Sequence, residues 1–341
     1  MLRKMQMRMF TLVMFAVLLI SCDVPTGVID LPPSPPTLEE EKTSIPWSKL
    51  SGKIGYVRAI DYGGYTKQIM VMIDVAQKKL NRIKGFDSQV SEVSLSADGR
   101  TLAYERSTQQ GYYYGNMGIF KADTGNGTET TVYSNPSFSA AGPAWSRDGR
   151  LAFWASGYST GNASQYGGVV YVENTMFYQK NPCANTRPAW SPDMSFMVIV
   201  ASYESNYQIQ PALLKVPVNL GSVYPIIFGS TSEVYLDPAI SPDGQKVAFV
   251  KQSYSDTTSG LWMINVDGSG LKRLTTDRGD RCPAFSPNGS QIVFERTTGS
   301  YYPSYYYSQF GRTGNIYLIN VDGSDLTPVT VNGGSWPTWI Q

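Results

Sequence analysis

The chain has 341 residues, of which 42% are hydrophobic and 13% aromatic, and its 28 basic residues nearly balance its 27 acidic residues. This much apolar material excludes global disorder, and the near-zero net charge argues against a nucleic-acid-binding protein. The chain contains no histidine, which excludes Ser-His-Asp triads, Cys-His dyads and His-ligated zinc or haem sites. Catalysis by carboxylates, lysine or tyrosine stays open.

The first 21 residues have the pattern of an export signal. Three basic residues within the first eight precede an apolar run over residues 9–20. This run is too short to cross a bilayer as a helix, which needs roughly 20 residues. It ends in Leu19-Ile20-Ser21-Cys22, which resembles the lipobox of bacterial lipoproteins. The resemblance implies cleavage before Cys22 and lipidation of Cys22, and an ordinary signal peptide with a chance cysteine is the alternative.

A polar, proline-rich segment follows the lipobox. Residues 22–46 contain six prolines and the acidic run Glu39-Glu40-Glu41. Proline-rich segments extend by about 3.1 Å per residue, so this segment is predicted to be a stiff tether that holds a domain over residues 47–341 away from a membrane. We therefore expect a lipid-anchored protein of the bacterial cell envelope, either periplasmic or surface-exposed.

The two remaining cysteines, Cys183 and Cys282, allow two interpretations. In an exported protein they can form a disulfide. Each precedes a different copy of the repeat described next, however, and those copies are not consecutive. This arrangement favours two buried free thiols, with a disulfide as the alternative.

One short string recurs through the rest of the chain. Five copies read VSLSADG, PAWSRDG, PAWSPDM, PAISPDG and PAFSPNG, and a partial copy, PTWI, lies near the C-terminus. Its large apolar residue returns every 45–54 residues, at Leu95, Trp145, Trp190, Ile240, Phe285 and Trp339. Further strand-like runs follow each of the first five copies. Four strands in a period of this length are typical of a propeller blade.

The Ser-Pro-Asp-Gly part of the string predicts a tight turn. Proline presets φ at the first corner, aspartate bonds its own backbone and glycine accepts the left-handed conformation. We expect such a turn at residues 241–244, between the first and second strands of a blade, and Asp-Gly turns at 267–268 and 322–323, between the third and fourth. The aspartates lack the spacing of a calcium loop, so neither a metal nor a cofactor is predicted.

The N-terminal blade lacks the recurring string. Residues 53–84 supply only its second, third and fourth strands, whereas the C-terminal PTWIQ is a first strand without a blade. We therefore predict an all-β, six-bladed β-propeller with four antiparallel strands per blade, closed by pairing of the C-terminal strand within the N-terminal blade. Such closure removes exposed sheet edges.

The PAWSPDG strings resemble those of the TolB-type six-bladed propeller, a relative of WD-type repeats, over about residues 50–341. The resemblance implies the propeller fold. TolB itself carries an α/β domain before the propeller, which in that family engages the Tol machinery, and a proline-rich tether stands in that place here. Propeller pectate lyases also resemble this repeat but depend on histidines, which this chain lacks.

Tyrosines concentrate in the predicted connections between second and third strands. Fifteen of the 23 tyrosines fall in the segments 61–67, 107–114, 157–167, 203–208, 252–259 and 297–313. Their neighbours are mainly Ser, Gly, Thr, Asn and Gln, a composition found in antibody paratopes. The candidate ligand-binding residues are Tyr62, Tyr113, Tyr158, Tyr203, Tyr254, Tyr302, Tyr305 and Tyr306. The alternative is that these rings pack against one another and roof the channel.

Two functions follow from this pattern. The first is a non-catalytic, monomeric binding platform that holds an envelope protein or a glycan on its tyrosine-rich face. The second is a carbohydrate-active enzyme using carboxylates near the channel, for which Asp61, Glu204 and Asp256 are the candidate acids. A glycosidase needs two carboxylates roughly 5–10 Å apart.

Overall fold

The computed structural model of the chain describes residues 38–61, 66–86, 90–107, 117–136, 138–157, 168–173, 175–180, 187–205, 208–219, 222–253, 258–297 and 314–340. All the described residues belong to one compact unit, Pro35–Gln341. The predicted signal peptide and Cys22 lie outside them.

Twenty-four strands within the described residues form six four-stranded antiparallel sheets, which we call blades 1 to 6. Blades 1 to 3, each from first to fourth strand, are β24 (Ser335–Ile340), β1 (Lys53–Asp61), β2 (Thr66–Asp74) and β3 (Lys79–Phe86); β4 (Val90–Leu95), β5 (Thr101–Ser107), β6 (Met117–Asp123) and β7 (Glu129–Tyr133); and β8 (Phe138–Trp145), β9 (Leu151–Gly157), β10 (Gly168–Val172) and β11 (Thr175–Lys180).

Blades 4 to 6, in the same order, are β12 (Ala189–Trp190), β13 (Phe196–Ser205), β14 (Gln208–Pro217) and β15 (Tyr224–Phe228); β16 (Glu233–Ile240), β17 (Lys246–Ser253), β18 (Gly260–Asn265) and β19 (Lys272–Arg273); and β20 (Asp280–Phe285), β21 (Gln291–Thr297), β22 (Gly314–Asn320) and β23 (Thr327–Pro328). The strand-like runs predicted from the sequence lie on these strands.

The second strands are apolar because neighbouring blades cover both sides of each sheet. In β17, the four residues Val247–Val250 are all 0% exposed. The fourth strand β7, by contrast, is exposed or half-buried along its whole length. Continuous apolar runs in the sequence therefore correspond to strands that are buried on both faces.

Each seam between neighbouring blades contains its own hydrophobic cluster. There are six such clusters among the described residues, including one between blades 6 and 1. At the seam of blades 4 and 5, for example, the Tyr235 and Phe249 rings lie 5.2 Å apart and nearly perpendicular. The first strands of successive blades also contact one another in cyclic order, from β24 through β4, β8, β12, β16 and β20 back to β24. The sheets therefore close into a ring around a central channel.

The predicted pairing of the C-terminal strand within the N-terminal blade is confirmed. In blade 1, β24 is antiparallel to β1, with Ile54 opposite Trp339 and Lys53 opposite Ile340. Trp336 and Trp339 are 4% and 8% exposed and belong to the clusters on the two sides of blade 1. The C-terminal strand therefore closes the seams with both neighbouring blades.

Residues 38–46, which the sequence assigned to the tether, pack on the propeller. They begin with the one-turn helix α1 (Leu38–Lys42), and a 3-10 helix (Trp47–Lys49) follows. Ile45 is 4% exposed and lies in the cluster between blades 1 and 6. Among the described residues, no helix is long and apolar enough to cross a membrane. Residues 38–46 therefore do not form part of an extended tether.

The turn chemistry expected from the repeat is present in each of its five full copies. In blade 5, the Ser241 hydroxyl donates to Asp243 Oδ1 at 2.5 Å, and the Gln245 N–H donates to the same oxygen at 3.0 Å. The Ser241 hydroxyl holds the pKa of Asp243 below its ordinary value. Gly244 has φ +73°. Met194 takes this left-handed place in blade 4 with φ +60°, which is unfavourable for a residue with a Cβ.

Candidate binding faces and the central channel

The ring has two faces that differ in which strands are connected there. On the turn face, turns join the first strand to the second and the third to the fourth. On the loop face, the second strand is joined to the third by connections that range from two residues in blade 4 to sixteen in blade 6. Because all strands within a blade are antiparallel, these second-to-third connections from all six blades lie on the same side of the ring.

The strand ends place these connections close to where the sequence predicted them. β1 ends at Asp61 and β2 begins at Thr66, and the longest gap runs from the end of β21 at Thr297 to Gly314. The predicted tyrosine-rich segments therefore coincide with loop-face connections. The tyrosines lie outside the described residues, except that the backbone of Tyr203 belongs to β13. Whether their side chains bind a ligand or pack on one another stays a prediction.

The acids proposed for the enzyme alternative are not brought together by the described structure. The backbone of Asp61 ends β1 and that of Glu204 lies in β13, while Asp256 falls outside the described residues. Within the described ranges, no group of three His, Cys, Asp or Glu side chains is placed to hold a metal ion.

Cys282 is a free, buried cysteine. Burial raises the pKa of its thiol well above the ordinary value, and the negative charge of Asp237 adds to this effect. Cys183 lies outside the described residues. Because the thiolate is the nucleophilic form, Cys282 is poorly suited to act as a nucleophile.

A constriction of the central channel was not foreseen from the sequence. The position before the Pro-Ala of the repeat carries a different residue in each blade: Glu92, Gly142, Arg187, Asp237, Cys282 and Trp336. All but Arg187 have a positive φ, and the pairing of first and second strands shifts register at these places in blades 2, 3, 5 and 6. The backbone therefore bulges at one level of the channel.

The space left at this level is very small. Glu92, Arg187, Asp237 and Cys282 line a cavity of about 10 Å³. That volume is about what one water molecule needs. The constriction therefore narrows the channel at the level of the bulged backbone.

Carboxylates from one blade bind the bulged backbone of the next. Asp237 Oδ2 accepts the Cys282 N–H at 3.1 Å, and Glu295 Oε2 accepts the Trp336 N–H at 3.2 Å. Glu105 accepts the N–H of Gly142 in the same way. Burial alone would raise the pKa of Asp237, but the Arg281 guanidinium, with its Nε 2.5 Å from Oδ2, lowers it overall. These buried acids therefore satisfy backbone donors that strand pairing leaves free.

Gly142 is the position of the constriction where a side chain has no room. A Cβ there would lie 2.7 Å from Arg187 Cα and 2.9 Å from Glu92 Oε2. Its φ of +64° also favours glycine. The Gly-Pro of this repeat thus lets the first strands of blades 3 and 4 approach each other closely.

Glu105 should lower the stability of the folded chain as the pH rises. Burial raises the pKa of its carboxyl well above the ordinary value, and the negative charge of Glu92 raises it further. Between about pH 4.3 and the raised pKa of the folded state, the Glu105 carboxyl is protonated in the folded chain and ionised in the unfolded chain. The free energy of unfolding should therefore fall as the pH rises through this interval. We expect Glu105→Gln to raise the melting temperature at pH 7 by about 2 °C or more.

The measurement is the melting temperature of wild type and Glu105→Gln from pH 4 to pH 8. The gain in melting temperature should vanish near pH 4, where the side chain at position 105 is uncharged in both wild type and the variant. Glu129→Gln is the matched control, because this half-exposed acid of the same blade pairs with Arg106 at 2.8 Å and its replacement should give no gain. A difference that does not change with pH would show that the Glu105 charge is not its cause.

The turn face opens into a cavity at the mouth of the channel. This cavity has a volume of about 210 Å³ and is lined by the large apolar residues of the repeat and by Arg187. The Arg187 guanidinium donates to the backbone oxygen of Val93 at 3.1 Å. The constriction lies directly below, because Arg187 also lines the 10 Å³ cavity. The turn-face mouth of the channel is therefore a pocket that ends next to the constriction.

These features define the class of protein: a closed β-propeller built from six four-stranded antiparallel blades. The family described as the TolB beta propeller domain matches residues 124–339 of this chain. The chain therefore belongs to the TolB β-propeller domain family.

Individual relatives agree with this assignment. The chain is 22% identical over 298 residues to the Tol-Pal system protein TolB of Francisella tularensis subsp. mediasiatica, covering 86% of this chain and 62% of that protein. The fold is similar to the crystal structure of TolB from Acinetobacter baumannii, with a TM-score of 0.62, 18% identity, and coverage of 85% of this chain and 67% of that one.

The same fold occurs in a protein of a different kind. Kuenenia stuttgartiensis hydrazine synthase is similar with a TM-score of 0.61 and 11% identity, covering 88% of this chain and 47% of that one. At such identity the likeness concerns the fold alone. The chain spans less than two thirds of the length of the curated TolB relative given above.

Proposed function

We propose that this chain is a lipid-anchored protein of the bacterial cell envelope whose propeller is a non-catalytic platform for a protein partner, bound on the loop face. The observation that carries the proposal is the convergence of six tyrosine-rich connections on one side of the ring. The strands that flank these connections are fixed by the blade topology. Tyrosines supply large contact area at low cost in conformational entropy.

The family supports a protein as the partner. The TolB relatives are named as members of the Tol-Pal system, which makes an envelope protein the first candidate for this chain as well. The absence of histidine from the whole chain favours binding over the commonest hydrolytic mechanisms.

The loop-face proposal is tested by replacing Tyr302, Tyr305 and Tyr306 together with Ser. We expect partner capture by crosslinking in the native envelope to fall at least about tenfold, because tyrosines are frequent hot spots of binding. The melting temperature should stay close to that of wild type. Tyr224→Ser is the matched control, since Tyr224 is 57% exposed on the outer strand β15, away from the loop face. Wild-type capture together with a clear loss of melting temperature would show that these rings are packing residues.

The anchor is tested separately at Cys22. Metabolic labelling with a fatty-acid analogue should mark the wild-type chain, and Cys22→Ala should lose the label and leave the membrane fraction. Stable anchoring needs more than one acyl chain, so the loss of the lipidated residue should release the protein completely. Cys183→Ala is the control and should keep the label. Labelling of Cys22→Ala at the wild-type level would disprove lipidation at this residue.

A further inference from the structure

A wide groove on the turn face has no role in the function proposed above. It lies at the seam of blades 2 and 3, between the first turn of each blade and the β6–β7 hairpin, and has a volume of about 890 Å³. Ligand pockets are typically about 300–1,000 Å³. We call it the seam groove, and its size is sufficient for a ligand of several rings.

Trp145 forms a wall of the seam groove and of the channel-mouth cavity. It occupies the apolar position of the repeat, as Trp190 and Trp339 do. Those two indoles donate their N–H to Ala144 O at 3.1 Å and Ser51 O at 2.7 Å. The Trp145 N–H is buried and has no acceptor among the described residues. A buried donor without a partner is unfavourable, so an acceptor that reached it would be stabilising.

The rest of the seam groove is polar. Exposed Thr128 and Thr130 line it from the β6–β7 hairpin, together with Lys121 and Asn126. The hydroxyl, amide and ammonium groups of these side chains thus line the same groove as the indole of Trp145. This mixture suits a ligand that carries many hydroxyl groups and a few apolar faces.

The charges around the seam groove disfavour an acidic ligand. Asp98, Asp123 and Asp148 outnumber Lys121 and Arg147 among its lining residues. Bonds from the Ser96 and Ser146 hydroxyls hold the pKa of Asp98 and Asp148 below the ordinary value, so both are ionised at neutral pH. Asp148 is paired with Arg150 at 2.9 Å, so Asp98 and Asp123 are the lining carboxylates that would repel uronic acids and phosphates.

We propose that the seam groove binds a neutral oligosaccharide, with one sugar ring stacked on Trp145 and its hydroxyl groups bonded to Thr128 and Thr130. A peptide is less well matched, because peptide recognition relies on several apolar anchor pockets and this groove offers one aromatic wall. The site lies on the face opposite the tyrosine-rich loops. The proposed sugar site can therefore be tested independently of the proposed partner platform.

The test is calorimetric titration of the full-length protein, held in a detergent without a sugar headgroup, with chitotetraose, cellotetraose and trigalacturonate. We expect saturable binding of at least one neutral tetrasaccharide and none of trigalacturonate. The double variant Thr128→Ala with Thr130→Ala should weaken binding about tenfold, since two hydrogen bonds are lost. Trp145→Phe keeps an aromatic ring but removes the unpaired donor and part of the indole surface, so it should weaken binding several-fold while the protein still unfolds cooperatively.

Thr131→Ala is the matched control, because Thr131 is equally exposed on β7 but does not line the groove. It should bind as wild type does, and so should the loop-face Tyr302, Tyr305 and Tyr306 variant. Absence of saturable heat with both neutral sugars up to about 10 mM would overturn the proposal. Equal binding of trigalacturonate, wild-type affinity in the double threonine variant, or an equal loss in Thr131→Ala would overturn it as well.

Discussion

Deleting residues 335–341 is expected to prevent the chain from reaching a stable monomeric fold. The deletion removes β24, exposes the edge of β1 and takes Trp336 and Trp339 out of two different hydrophobic clusters. Loss of a buried large aromatic residue typically costs about 3–5 kcal/mol, and a domain has only about 5–15 kcal/mol in total. The open edge should also recruit other chains.

Thermal unfolding and size-exclusion chromatography measure this effect. We expect the truncated chain to aggregate and to lose its cooperative transition. Trp339→Phe provides the graded control, because it keeps an aromatic ring in the cluster while it removes the N–H bond to Ser51 O and part of the buried indole, so it should lower the melting temperature but keep a cooperative transition. A monomeric truncated chain with the wild-type melting temperature would show that pairing of β24 with β1 is dispensable for closure.

Breaking the buried ion pair between Glu41 and Arg58 should be strongly destabilising. The two residues are 0% and 2% exposed, and Arg58 Nη1 lies 2.5 Å from Glu41 Oε2. The Tyr56 hydroxyl donates to the other carboxylate oxygen at 3.2 Å. Burial raises the pKa of Glu41, although Arg58 and Tyr56 oppose this shift.

We expect Glu41→Ala to reduce the free energy of unfolding by about 3–5 kcal/mol, because the Arg58 charge stays buried without its carboxylate. Chemical denaturation measures this loss. Lys49→Ala is the matched control in the same segment. Lys49 pairs with Asp325 of blade 6 at 2.6 Å, but both side chains are about 40% exposed, so its loss should cost less than about 1 kcal/mol. Equal effects of the two variants would show that the buried pair contributes no more than a surface pair.

These two contacts explain how the N-terminal segment takes part in closing the ring. Glu41 is bound to β1 in blade 1, and Lys49 is bound to Asp325 and Thr327 beyond β22 in blade 6. Residues 41–49 thus join the first and last blades across the seam that β24 also closes. Loss of either element should weaken the same seam.

The sequence by itself determined the strands, the turns and the closing pair. These features depend on local chemistry: a Ser-Pro-Asp-Gly turn is specified by four adjacent residues, and a blade without a first strand requires one from elsewhere in the chain. For the same reason the connections on the loop face were located to within a few residues from the predicted strand ends, while the arrangement of their tyrosines stays a prediction.

Only the tertiary structure decided which charged residues are buried. In the sequence, Glu41 belongs to an acidic run within a segment predicted to be a proline-rich tether. Nothing near it in sequence indicates that Arg58 and Tyr56 enclose its carboxylate. Glu105 and Asp237 likewise resemble ordinary strand or loop acids. They become buried because closure of the ring brings each one against the bulged backbone of the next blade, and that contact depends on residues 37–45 positions further along the chain.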